Sequence, residues 1–426
     1  VTAAVDSRNQ RLAWAAIAGV TQRLAQMAGT LVTMPLVLGA LGEAGFGLWG
    51  AAASIAWLAG LADFGIGSAV LGLIAHAVGA DDQDDARRAV GSALTLACGL
   101  AIVLGAVGVA AVVLAVPAPR PWLIAVVGLA INVPLSLGNQ LWMGVQRGWV
   151  AAWWELAQTV LTVGMLFAAS RSTASVLPYV AAVYAGLVLA NLGSLVHFLL
   201  AHPALRPHRL APVAATSMIL ERGLRFFALG FAGAAAFLFD NLIALALLGP
   251  VAAASLTVVM RLSLTALGLL QVISQPLWPA FTEAAARGDE RWLVLGLLRG
   301  TALVTGVAIT GAVLLIGLGQ PVLQLWLGRD VGIGPDLLGA LAAWVVALGV
   351  IRVPSLFLNA LSVLGFQVVV LALATLAGFA LKLALAPTLG AAALLWGTTL
   401  ATLAVVLPVF AWHIARILTI RRGAVG

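Results

Sequence analysis

SIAWLAGLADFGIGSAVLGLIAHAV, residues 54–78, is apolar almost throughout and carries one aspartate, Asp63, in its middle. Coiled as an α-helix, these 25 residues rise about 37 Å, more than the ~30 Å hydrocarbon core of a bilayer. A carboxylate at that depth costs roughly 2.5–3.5 kcal/mol on insertion scales, so it should face water, a partner or a bundle interior. The stretch predicts a membrane-spanning helix with one polar obligation.

The rest of the chain repeats the pattern. Of 426 residues, 63% are hydrophobic and only 9% charged, whereas soluble domains carry about a quarter charged. This excludes an ordinary soluble enzyme and predicts an all-α polytopic membrane protein. The net charge of +7 comes almost wholly from arginine; in such a chain it belongs to cytoplasmic loops rather than to a nucleic-acid surface. A lone cysteine, Cys98, rules out an internal disulfide framework. The first apolar run follows Arg8 and Arg11 and continues into a full span, so it reads as a first crossing rather than a cleaved leader.

Twelve spans are expected, near 12–39, 45–78, 89–116, 121–145, 149–170, 175–200, 224–248, 252–284, 292–318, 336–360, 365–386 and 389–415. The breaks are short and marked by Gly and Pro, as antiparallel neighbours require. With a cytoplasmic N-terminus, fourteen arginines from Arg8 to Arg422 fall on the inner side and three (Arg120, Arg171, Arg329) on the outer. That bias puts both termini in the cytoplasm. The longest polar connection, Ala201–Gly223, divides six spans from six. The halves echo weakly: LVLGALGEAGFGLW (36–49) and LALLGPVAAASLTVV (245–259) each join a first span to a long second one. Six-plus-six parallel repeats are related by a pseudo-two-fold axis along the membrane normal and enclose a cavity. The expected organisation is a six-helix lobe over 1–205, a cytoplasmic connection over 206–222 and a second lobe over 223–426.

Besides Asp63, the spans hold Arg23, Glu155, Asp240, Arg261, Arg352 and Lys382. Counted from the hairpin turns at Gly42 and Gly249, Arg23 and Asp63 lie about 28 and 31 Å down, Asp240 and Arg261 about 13 and 18 Å. Each hairpin thus brings an acid and an arginine to similar depth, predicting Asp63–Arg23 and Asp240–Arg261 pairs. One reading makes these structural ion pairs. The other makes Arg23, Arg261, Arg352 and Lys382 the lining of a cavity for an anionic head group, with Asp63, Glu155 and Asp240 pairing them or carrying coupling ions. Lys382, near a helix end, could instead snorkel.

Other patterns carry less. GFGLWG (45–50) matches a dinucleotide fingerprint, but no strand precedes it, and close helix packing explains the glycines. DDQDD (81–85) has the carboxylate spacing of a Mg²⁺–prenyl diphosphate site. A prenyltransferase would need a second acidic cluster, and the sequence has none, so these acids are expected to begin the next helix. The five histidines have no metal-ligand spacing.

Three segments resemble one family. LVLGALGEAGFGLW followed by LADFGIGSAV (61–70) resembles the first hairpin of the Wzx-type polysaccharide-transport flippases of the MOP superfamily. ISQPLWPAFTEAAARGDERW (273–292) is similar to the end of their eighth span, and PVLQLWLGRD (321–330) to the end of their ninth. The resemblance extends through most of the chain and implies a MOP/MATE-like fold in a bacterial inner membrane. It further implies a non-enzymatic flippase moving an undecaprenyl-diphosphate-linked oligosaccharide outward by alternating access, for O-antigen, capsule or exopolysaccharide assembly. No cofactor is implied; H⁺ or Na⁺ coupling or the membrane potential would drive transport. A polysaccharide polymerase and a chain-length regulator are the implied protein partners. The alternatives are a multidrug exporter of the same superfamily and, less favoured, the prenyltransferase. A major-facilitator transporter is disfavoured because the loop GADDQDDARR (79–88) fails that family's pattern.

Overall fold

The structure, a computed structural model, describes residues 2–80, 82–207, 239–274, 277–328, 332–361 and 363–423, with positions 219, 220, 223, 224, 227, 228, 231 and 237 between them. Among these residues there is no β-strand. The first half contains α1 (Thr2–Ser54), α2 (Ile66–Gly79), α3 (Gln83–Ala115), α4 (Arg120–Gly144), α5 (Gly148–Ser172) and α6 (Val176–Ala201). The second contains α7 (Asp240–Leu248), α8 (Pro250–Ser274), α9 (Leu277–Arg287), α10 (Glu290–Leu327) and α11 (Pro335–Ala360). It ends with α12 (Leu364–Leu389), α13 (Ala392–Ala401) and α14 (Leu407–Gly423). Helices dominate because a chain crossing hydrocarbon must satisfy every backbone donor and acceptor within its own segment.

Ten apolar runs among the described residues are long enough to cross a bilayer. The first, Ile17–Gly60, is 44 residues long, about 66 Å as one straight helix and twice the core thickness. Gly42 breaks it, with φ 66° and ψ 179°. Gly249, between α7 and α8, adopts nearly the same conformation, φ 87° and ψ 177°. Only glycine enters this region without strain. The two halves therefore turn from their first helix to their second with the same single-residue device, a firmer repeat signature than the sequence echo. The seventh expected span, 224–248, is described only in part, with α7 at its end.

The chain forms two compact units, residues 1–230 and 231–426. Their internal packing follows one plan. In the first, α3 packs on α4, α5 on α6, and α4 on both α2 and α6. In the second, α10 packs on α11, α12 on α13, and α11 on both α9 and α13. Small residues set the approach: a Cβ on Gly138 would sit 2.5 Å from the Leu195 nitrogen, and one on Gly128 would sit 2.7 Å from Tyr184 Cβ. The expected connection over 206–222 lies mostly outside the described residues, as do Arg209, Arg222 and Arg329.

The second span departs from the uninterrupted helix expected over 45–78. Its helix ends at Ser54, tightens into a 3₁₀ stretch over Ile55–Gly60, turns, and restarts as α2 at Ile66. Phe64 and Gly65 both take positive φ, 51° and 78°, which ends a right-handed helix. The DDQDD acids behave as expected at a helix start: the Asp82 carboxylate accepts the Asp85 N–H at 2.8 Å, and Arg87 and Arg88 pair with Asp84 and Asp85. Among the described residues no cluster of His, Cys, Asp and Glu could hold a metal.

Candidate functional site

Asp63 sits in the break of the second span and bonds to backbone. Its Oδ1 accepts the Gly65 N–H at 2.9 Å and its Oδ2 the Gly67 N–H at 2.8 Å. The expected Asp63–Arg23 pair is thereby replaced by a cap: a helix restarting inside a lobe presents orphan N–H groups, and the nearest carboxylate satisfies them. The turn is also docked. Gly223 lies against Gly65, so closely that a Cβ on Gly65 would overlap the Gly223 carbonyl, and the Phe64 and Phe227 rings stack at 4.6 Å.

Asp240 is held by Lys382, not by Arg261. Lys382 Nζ donates to Asp240 Oδ1 at 2.5 Å, and both residues are 2% exposed. Lys382 does not snorkel. It leaves α12 beside Gly397, where a Cβ would lie 2.5 Å from its Cγ, so the bare glycine admits its stem between α12 and α13. Equal depth on one hairpin predicted the wrong partner because α12 brings a second cation to the acid from 142 residues away. On α7 and α13, Asp240 Oδ2, Asn241 Oδ1 and Thr399 Oγ1 are buried without hydrogen-bond partners among the described residues.

Arg23 is exposed on α1 and interacts electrostatically with Glu155 on α5. First and fifth spans thus carry a base and an acid in the first unit, and an acid and a base in the second. In the second unit Arg352 Nε donates to Ser274 Oγ at 3.1 Å, and Arg261 is half-buried on α8. Of the expected head-group cations, Arg23 belongs to the first unit; Arg261, Arg352 and Lys382 belong to the second.

The largest surprise is a cluster of amides. Inside the first unit a cavity of about 230 Å³ is lined by Gln22 and Gln26 of α1, Gln140 of α4, Glu155 and Gln158 of α5, and neighbouring Asn and Ser side chains. Its back wall is a hydrogen-bonded chain: Asn191 Nδ2 donates to Asn132 Oδ1 at 2.6 Å, Asn139 Nδ2 to Asn191 Oδ1 at 3.2 Å, and Ser194 Oγ to Asn139 Oδ1 at 2.6 Å. Charge counting passed over these amides. Their spacing was the available signal: 132, 136, 139 and 140 recur at i, i+4, i+7 and i+8, and 22 and 26 at i and i+4, which puts each set on one helix face.

A larger cavity, about 770 Å³, lies at the Arg147 end of this unit beside Asp82, Trp149 and His202. Burial pushes His202 below the ordinary histidine pKa, which keeps it neutral near pH 7.

Helix order, paired units and a polar interior define a multi-pass membrane protein of the MOP fold. An inward-facing multidrug-resistance MATE transporter of that superfamily superposes with a TM-score of 0.75 at 15% identity, covering 94% of this chain and 96% of its own. The lipid II flippase MurJ, in an inward closed conformation, gives 0.72 at 13% identity, covering 94% and 87%. A MOP transporter from Pyrococcus furiosus, described as having a binding pocket of reversed polarity, gives 0.60 at 15% identity, covering 93% and 96%. No curated protein matches the sequence. The family model for polysaccharide biosynthesis proteins matches residues 12–285, more than half of the chain. The chain belongs to the polysaccharide biosynthesis protein family.

Proposed function

We propose that the protein is a flippase that carries an undecaprenyl-diphosphate-linked oligosaccharide from the cytoplasmic to the outer leaflet for surface polysaccharide assembly. The family match carries this reading, and the polar interior of the first unit supports it. Moving a sugar diphosphate through hydrocarbon unaided would strip water from its charges and hydroxyls. Side chains that replace this hydration lower the barrier while the polyprenyl tail stays in lipid. The cycle is alternating access between two lobes, driven by H⁺, Na⁺ or the membrane potential, and its product would pass to a polymerase with its chain-length regulator.

Arg23, Arg261 and Arg352 are the proposed contacts for the diphosphate or for acidic sugars. Arginine donates two aligned hydrogen bonds to a phosphate; lysine offers a point charge. Each is to be replaced by alanine and by lysine, with flipping measured in vesicles at matched protein abundance. Alanine variants should lose transport, and lysine should restore only part. Full activity in all three alanine variants would sink the assignment. The multidrug neighbour's fold supplies the rival reading, and uptake of an organic cation by vesicles that flip no glycolipid would favour it.

Direction follows from topology. With both termini cytoplasmic, a cysteine at Ser172 should react with an impermeant maleimide in intact spheroplasts, and one at Thr216 should not. The reverse pattern would invert the direction of transport.

A further inference from the structure

We propose that the amide-lined cavity of the first unit is a subsite for one neutral sugar ring, gripped through its hydroxyls. The inference rests on the flippase reading and names which part of the substrate this unit takes.

Polar side chains inside a membrane lobe are costly unless satisfied or used. The chain of Asn132, Asn191 and Asn139 is of the satisfied kind: Asn132 and Asn191 are buried, and Asn191 donates to Asn132 and accepts from Asn139. Of the lining, Gln26 and Glu155 are exposed and Gln140 and Gln158 half-buried, although all four sit on apolar spans. A purely structural network would have no reason to hold an opening of about 230 Å³ among such groups.

The chemistry of the lining selects the ligand. A carboxamide donates and accepts, and so does a hydroxyl; the match is reciprocal. A phosphate only accepts, so it would use the N–H half of each carboxamide and leave the carbonyls unpaired. No cation is among the described lining residues, so this is a poor diphosphate site. Organic cations favour aromatic faces beside an acid, and no aromatic residue is among the described lining residues. The volume is sufficient for one pyranose ring. Ala59 and Gly60, the two small residues that end the 3₁₀ stretch, border the space from the second span. Larger side chains there would fill the room that a ring needs.

The test is cysteine protection in proteoliposomes. Gln158→Cys is placed in a Cys98→Ala background, which removes the one native thiol, and maleimide labelling is timed. Three probes are compared: undecaprenyl diphosphate, the same lipid bearing one hexose, and the same lipid bearing a neutral tetrasaccharide. The sugar-bearing lipids should slow labelling about tenfold and the bare diphosphate should leave it unchanged. Equal protection by the bare diphosphate, or no protection by a glycolipid that the same vesicles flip, would overturn the subsite. Protection without flipping would support the subsite and count against the transport reading alone; neither protection nor flipping would remove both.

A second measurement guards against local damage from the cysteine. The Gln140→Leu, Gln158→Leu double variant should lower flipping of the tetrasaccharide lipid about tenfold or more, the effect of a few unmade hydrogen bonds. Flipping of the bare diphosphate should persist. Loss of both to the same extent, at normal abundance, would mark the amides as structural and overturn the proposal.

Discussion

Lys382→Met should cost the protein about 3–5 kcal/mol, the penalty for leaving a buried charge uncompensated. Asp240 is 2% exposed, its Oδ2 has no partner among the described residues, and Lys382 supplies the bond to its Oδ1. Total stabilities of 5–15 kcal/mol make such a loss severe. Fluorescence-detected size exclusion after heating in detergent should show a large fall in monodisperse protein. The double variant Asp240→Leu, Lys382→Met should recover much of it, because an apolar pair of similar volume replaces a buried ion pair at little net cost. A stable single variant would mean that water or another group reaches the carboxylate.

Gly65→Ala is the second large effect. The residue holds φ 78°, a conformation that costs an L-residue roughly 1–2 kcal/mol. The new methyl group would also meet the Gly223 carbonyl, and backbone on both sides leaves little room to yield. Asp63→Ala acts on the same turn by orphaning the Gly65 and Gly67 N–H groups, at about 1–3 kcal/mol for each unsatisfied group. Asp63→Asn should be milder, since the amide oxygen still accepts. Melting temperatures should therefore rank Asn above Ala at 63, with Gly65→Ala low. Equal melting of Gly65→Ala and the parent would refute the close approach of residue 223.

The helical class, most loop positions and the glycine turns were legible because bilayer thickness imposes a length on every apolar run and a single-residue turn admits only glycine. Of the twelve spans expected, ten runs of spanning length lie among the described residues. Asp63 was legible as an obligation but not as a cap. Depth along a helix treats the second span as continuous, and Phe64 at φ 51° interrupts it. The Asp240 pair was misread for a related reason. Depth compares neighbours on one hairpin, whereas Lys382 arrives on a helix from the far end of the chain. Of the lining of the first unit's polar cavity, a preference for formal charges found Glu155 and passed over the amides. Amides cost less to insert than ions and so stand out less, although their helical spacing was in plain view at 132, 136, 139 and 140.

The Asp240–Lys382 bond also sets a schedule for synthesis. Its two ends are 142 residues apart, and at 5–20 residues per second the ribosome needs roughly 7–30 s to make the chain between them. Through that interval α7 already carries its acid while the helix bearing the ammonium does not yet exist. The tight turn at Gly249 packs α7 directly on α8, which follows it in the chain. The nascent second lobe must therefore wait with Asp240 hydrated, at the translocon or the membrane edge, and can close only when α12 arrives. Truncation before residue 382 should strand it in that state, making the late helices the point at which quality-control proteases distinguish finished chains from unfinished ones.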